Sequence, residues 1–314
     1  MSHHDVPQKV SQAVERVAEK HGGTVTGMLG VAFRDLRTQE EFYLNGDTAF
    51  PAASVFKIFL LAELFRQAEA GKFSLSDRIP LEDSEKSPGS GVLKELGEGL
   101  NPTIRDCATL MMIISDNTAT DKLFNLVGRE NIKRNVLDAL GLTRTRVDWG
   151  CRRLIARYCD QPETADADAD SESERSFRDS DLYLCRTDEN DQTSPADTAR
   201  FLALLAENRL VSERASRDML HIMSRCQTNS RIPRHLPRGL RIAHKTGTLD
   251  RVANDVGIVY TERGSYVLAL FYNGNAADEE EYARNEKGRI GDDLLAELSR
   301  DIYLCAVGGG GGTP

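Results

Sequence analysis

The feature that most constrains this fold is where the hydrophobic period changes along the chain. Segments 25–33 and 40–44 alternate in the manner of strands, and so do 240–248, 251–261 and 265–273. Between the two groups the period is helical. Apolar runs at 55–70, 103–114, 118–127 and 130–140 are punctuated by Gly71, Gly128 and Gly141. Two more helices follow, one opened by Ser194 as N-cap with Pro195 at its first position, the other over 212–224. Helices also stand at the ends: Val6, Val10, Val14, Val17 and Ala18 predict one over 6–20, and the last runs over 287–305. Residues 84–99 read as loop or short turns, and 308–314 as a flexible tail. Strands from both ends of a chain share a sheet only if the middle leaves and returns. The expected class is therefore α+β: an antiparallel sheet covered by the terminal helices, plus an all-helical lobe. The expected division is 1–50 with 225–307 for the sheet lobe and 51–224 for the helical lobe, with a cleft between them suited to a small molecule.

Charge narrows the partners. The chain of 314 residues carries a formal net charge of -9. Residues 160–191 hold twelve acidic and three basic side chains, which is the whole of it. The rest is balanced, so nothing suggests the clustered basic surface that nucleic-acid binding needs. The acidic insert reads either as a lid over the cleft or, from its low aromatic and high charge content, as a solvated loop. No apolar stretch is long enough for a membrane span, and no secretory leader is seen. As coded the chain is expected to be cytoplasmic, or secreted if a leader was removed. The six cysteines form no CxxC pair and read as reduced thiols, with Cys107 in the core. No metal or cofactor is implied, and oligomeric state is not readable.

Three short motifs carry the chemistry. Ser54 and Lys57 stand at positions i and i+3 at the start of an apolar helix, so they share a face. A serine hydroxyl needs a base to become a nucleophile, and a lysine serves if burial or a second cation lowers its pKa. Alone, the pair reads more readily as a capping serine and a surface lysine. Ser115-Asp116-Asn117 lies between two helices, where it places a hydroxyl and an amide toward a cleft or simply caps a junction. Lys245-Thr246-Gly247-Thr248 lies in a late strand, where a lysine beside small residues suits a substrate carboxylate. His244 adjoins Lys245 and is expected on the opposite strand face.

In this order and on these elements, SxxK, SDN and KTG resemble the pattern of penicillin-binding enzymes and class A β-lactamases. The resemblance spans about 6–305 and includes 51–54, 87–93, 111–120 and 244–248. It implies a serine β-lactamase/transpeptidase-like fold. It further implies Ser54 as the acylated nucleophile, Lys57 as its proton acceptor and Ser115 as the proton relay to the leaving nitrogen. Asn117 would bind the acylamido side chain. Lys245 and Thr246, with Gly247 beside them, would hold the substrate carboxylate, and Lys245 would keep Lys57 partly neutral. The N–H groups of Ser54 and Thr248 would form the oxyanion hole. The family also places an arginine near the carboxylate. Counting back from Lys245 points to Arg231, although Arg234 and Arg238 lie close by and a solvated loop arginine is the plain alternative.

One departure stands out. Residues 145–148 resemble the lead-in to the loop that carries the family's deacylating glutamate, and Cys151 occupies that place. A thiol is a poor general base for water. Asp148, Asp160 and Glu163 are the nearest carboxylates in sequence. The resemblance therefore implies a hydrolase of β-lactamase type acting on a β-lactam or related acyl compound, with intact acylation and slow deacylation. The alternatives are an esterase or amidase on another substrate, or a penicillin-binding protein without efficient turnover.

Overall fold

The computed structural model describes residues 6–21, 27–158, 185, 190–249, 251–274 and 289–308. Helix α1 (Val6–His21) leads into β1 (Gly27–Asp35) and β2 (Glu41–Leu44). Near the end of the chain come β5 (Ile242–Leu249), β6 (Val252–Thr261) and β7 (Gly264–Gly274), then α9 (Arg289–Ala306). The five strands form one antiparallel sheet in the order β2-β1-β7-β6-β5. The N-terminal strand thus joins the C-terminal hairpins directly, with Val31 opposite Leu270.

The register explains why β7 is apolar almost throughout. Val267, Ala269 and Phe271 point into a core shared with the helical half of the molecule, next to Phe50 and Phe59. Tyr266, Leu268, Leu270 and Tyr272 point the other way, onto Val10, Val14 and Val17 of α1 and Leu294, Leu295 and Leu298 of α9. A sheet covered on both faces loses the alternation that marks a one-sided sheet.

The helical half contains α2 (Lys57–Glu69), α3 (Ile104–Ile113), α4 (Asn117–Val127), the short α5 (Arg129–Ile132), α6 (Cys151–Tyr158), α7 (Pro195–Ala206) and α8 (Glu213–Met223). The expected caps are in place. Thr103 accepts from Asp106 N–H and Asp106 returns the bond, while Ser194 caps α7 with Pro195 behind it. Residues 84–99 contain only short 3₁₀ turns. Cys107 is buried.

Three features depart from the expectation. The helix expected over 130–140 is a single α-turn that widens into a π-helix over Lys133–Asp138. Cys151–Tyr158, expected to be irregular, is helical. Its N-terminus is capped from a distance: the Asp121 carboxylate on α4 accepts the N–H groups of Cys151 and Arg152. A cap thirty residues away leaves no local signature. A two-residue ladder, β3 (Phe50–Pro51) with β4 (Gln192–Thr193), was also not foreseen. Asp160, Glu163, most of the acidic insert and residues 309–314 lie outside the described residues. Among the described residues no helix is long and apolar enough to cross a membrane.

Candidate active site

Ser54 lies in a 3₁₀ turn, Ala53–Phe56, that runs into α2. Strand β5 presses against this turn. A Cβ on Gly247 would lie 2.8 Å from the carbonyl oxygen of Ala52, so only glycine allows the approach. Asn254 on β6 ties the same turn down by donating to the carbonyls of Pro51 and Ala52, at 2.9 and 3.3 Å. Ala53 and Ser115 both have positive φ (44° and 60°), a conformation that costs a residue with a Cβ on the order of 1 kcal/mol or more and that gathers at functional sites.

The centre of the site is the Ser115 hydroxyl. Lys57 Nζ donates to it at 3.0 Å, to the Ser115 carbonyl at 2.9 Å and to Asn117 Oδ1 at 2.9 Å. Lys245 Nζ approaches the same hydroxyl at 3.1 Å and donates to the Thr246 carbonyl at 2.7 Å. Both lysines are fully buried. Burial, and then the charge of Lys57, push Lys245 down to about 7.

The loop 87–93 completes one wall. Ser90 donates to the Ser115 carbonyl at 2.8 Å and accepts the Asn117 backbone N–H, while Asn117 Nδ2 donates to Pro88 O. Asp116 holds the loop by accepting from Val92 and Leu93 N–H, and a Cβ on Gly91 would collide with its carboxylate. Sequence reasoning passed over Ser90 and Asp116 as individual residues, although both fall inside stretches singled out above.

Arg231 is buried, with its guanidinium at the outer end of β5. It pairs with Asp292 at 2.5 Å and donates to the Gly247 carbonyl at 2.7 Å, to the Asn254 carbonyl at 2.7 Å and to Thr248 Oγ1 at 2.8 Å. It is therefore no solvated loop arginine. Thr246 is buried beside Lys245, and Thr248 is exposed at the mouth.

Cys151 is the first residue of α6, and its buried thiol lies beside Lys57 and Thr120. Burial raises it to about 12, against the pull of Lys57, so the sulfur is an uncharged thiol. Of the replacement carboxylates, Asp148 is turned away onto Arg129 at 3.0 Å and Arg146 at 2.9 Å. Asp121 was not foreseen. It lies one turn along α4 from Asn117, within reach of the charge of Lys57, and is occupied by Ser87 Oγ at 2.6 Å and the cap of α6.

The segment before α6 is held by Asp191. Its Oδ1 accepts from Asp148 and Trp149 N–H, at 2.7 and 3.1 Å, and its Oδ2 has no hydrogen-bond partner. Burial pushes this carboxyl up to about 8. The folded protein thus holds a proton that the unfolded chain releases near pH 4. The stabilisation from that proton is complete below pH 4 and is lost as pH rises through 8. Asp191→Asn keeps both accepted bonds and cannot ionise. It should match the parent near pH 4 and exceed it by on the order of a few kcal/mol near pH 8, as read by denaturant melts across pH. Equal pH dependence of the two proteins would contradict this.

An antiparallel sheet with a helical half, and two lysines meeting one serine hydroxyl between them, is the arrangement of class A β-lactamase-like serine hydrolases. The beta-lactamase enzyme family matches residues 9–304, and the chain belongs to it. Beta-lactamase L2 of Stenotrophomonas maltophilia is 28% identical over 86% of this chain and 82% of its own length. The crystal structure of a beta-lactamase from Sphaerobacter thermophilus superposes with a TM-score of 0.76 at 29% identity, covering 97% of this chain and 99% of that one. The structure of PBP-A, at 24% identity, shares the fold with a TM-score of 0.71 over 93% and 95% of the two chains.

Proposed function

We propose that this hydrolase of the β-lactamase family acts through an acyl-enzyme on Ser54, with a β-lactam or related small acyl compound as substrate and slow release of the acyl group. The observation that carries the reading is the approach of Lys57 and Lys245 to a single hydroxyl, Ser115 Oγ. Two buried amines that approach one oxygen repel, so the pair sheds one proton near neutrality; with the remaining charge on Lys245, Lys57 is the free base one turn from Ser54. Ser54 Oγ attacks the carbonyl carbon as its proton passes to Lys57. The Ser54 and Thr248 N–H groups receive the developing oxyanion. The C–N bond then breaks, and the nitrogen takes a proton from Ser115 Oγ, which is resupplied from the lysine pair. Lys245, Thr246 and Thr248, backed by Arg231, hold the substrate carboxylate, and Asn117 orients the acylamido group. A variant of PBP-A was solved as an acyl-enzyme complex with penicillin G, which supports this order of events on this fold.

Nitrocefin should give a burst close to one equivalent of enzyme followed by a slow steady rate. Fast linear turnover without a burst would contradict slow deacylation. The uncharged Cys151 favours a second reading, a penicillin-binding protein that is acylated and does not turn over. It predicts the burst with no steady phase.

A further inference from the structure

A second group of reactive side chains lies behind β5, unused by the chemistry at Ser54. Cys226 follows α8, and its backbone N–H bonds to Met223 O at 3.2 Å. The next residue, Gln227, donates to Ile113 O at 2.8 Å and fixes the segment to α3. His244, the neighbour of Lys245 on β5, reaches the Cys226 side chain. Its Nδ1 lies 2.9 Å from Asp255 Oδ1, and Asp255 Oδ2 accepts the Ile232 N–H at 2.9 Å. His244 and Asp255 are buried, whereas Cys226 is partly exposed between exposed Arg225 and Gln227. Room for the histidine is built into the sheet: Gly257 stands opposite it, and a Cβ there would lie 2.5 Å from the His244 Cβ.

The order is carboxylate, imidazole, thiol, with the imidazole oriented from behind. This is the arrangement by which a base activates a nucleophile. Burial would lower His244, but the Asp255 carboxylate outweighs it and raises the ring to about 10. Burial would raise Cys226, but the bond to His244 and the charges of His244 and Lys245 outweigh it and bring the thiol down, against the opposing charge of Asp255. Cys107, Cys151, Cys185 and Cys305 all move up. Cys226 is thus the described cysteine placed to be an anion, in the partly exposed, electropositive setting where thiolates react.

We propose that Cys226, held by His244 and Asp255, is a reactive thiolate that is oxidised by hydroperoxides. The sulfur attacks one oxygen of the peroxide and the O–O bond breaks. The departing oxygen takes the Nε2 proton of His244, giving water or an alcohol, and the product is a sulfenic acid. Two electrons pass from sulfur to the peroxide. The step also removes a negative charge that supports the Lys245 ammonium. Weaker binding of a substrate carboxylate then follows, a consequence that rests on the role proposed for Lys245, whereas the oxidation does not.

The test treats the full chain with hydrogen peroxide and dimedone near pH 6.5 and maps adducts by peptide mass spectrometry. Dimedone should mark Cys226, and Cys226→Ser should lose the mark. His244→Gln should slow labelling by at least about tenfold at pH 6.5, with the difference closing near pH 10. Iodoacetamide alkylation of the unmutated chain provides a check that needs no variant: the rate at Cys226 should level off at lower pH than the rates at the other cysteines. A rate at Cys226 that climbs with pH through 8 to 9, as for an ordinary thiol, or dimedone marks only on other cysteines, would overturn the proposal. Unchanged penicillin acylation of the chain labelled at Cys226 would instead count against the role given to Lys245.

Discussion

Cys151→Glu should shorten the life of the acyl-enzyme by about 10²–10⁴-fold, the usual worth of a positioned general base. The thiol at this position lies beside Lys57 and is pushed up to about 12, so it stays protonated and cannot take a proton from water. A carboxylate at the same place would face Lys57. It would also sit at the first residue of α6, where the unpaired N–H groups of a helix favour negative charge. The Asp121 cap of α6 uses backbone N–H groups of 151 and 152, so the substitution leaves it intact. The measurement is the decay of the penicillin adduct after excess drug is removed. A folded Cys151→Glu protein whose adduct decays at the parent rate would show that the missing base is not what limits release.

Lys57→Met should slow acylation itself by about 10²–10⁴-fold. Methionine matches the reach of lysine without its charge, so the packing of α2 is kept while the base is removed. Three bonds disappear, to Ser115 O, Ser115 Oγ and Asn117 Oδ1. The charge that helps hold Lys245 at about 7 disappears as well. Lys245 should therefore rise toward the ordinary lysine range, and any pH dependence of acylation that reflects it should move to higher pH. Following adduct formation against time and pH checks both parts. An unchanged acylation rate would contradict the base assigned to Lys57.

The fold was legible where the pattern is local. The five strands of the main sheet follow the alternation at 25–44 and 240–273 to within two residues, and Thr103, Ser194 and Ser212 cap helices as their types suggest. What stayed hidden depends on distant partners. Helix α6 does carry an apolar stripe at helical spacing (Cys151, Leu154, Ile155 and Tyr158) that sequence reasoning passed over, while its N-terminal cap, Asp121, comes from another helix. The approach of Lys57 and Lys245 to Ser115 joins residues 130 positions apart, and only the resemblance to a known pattern suggested it. Arg231 was reached by counting alone, and the structure adds the Asp292 partner that makes its burial affordable. His244 pointing away from Lys245 followed from strand alternation, but the bond to Asp255 and the contact with Cys226 did not. Of the replacement carboxylates named from sequence proximity, Asp148 pairs with Arg129 and Arg146, Asp160 and Glu163 lie outside the described residues, and Asp121, which proximity did not name, is within reach of the charge of Lys57.

The central claim is that Ser54 forms a covalent and long-lived acyl-enzyme. Its most direct test is the intact mass of the protein after incubation with penicillin, beside Ser54→Ala as control. The account predicts one added penicillin mass, located on the Ser54 peptide, persisting for many minutes and absent from the control. An unmodified protein that leaves penicillin intact, or an adduct that survives Ser54→Ala, would contradict it.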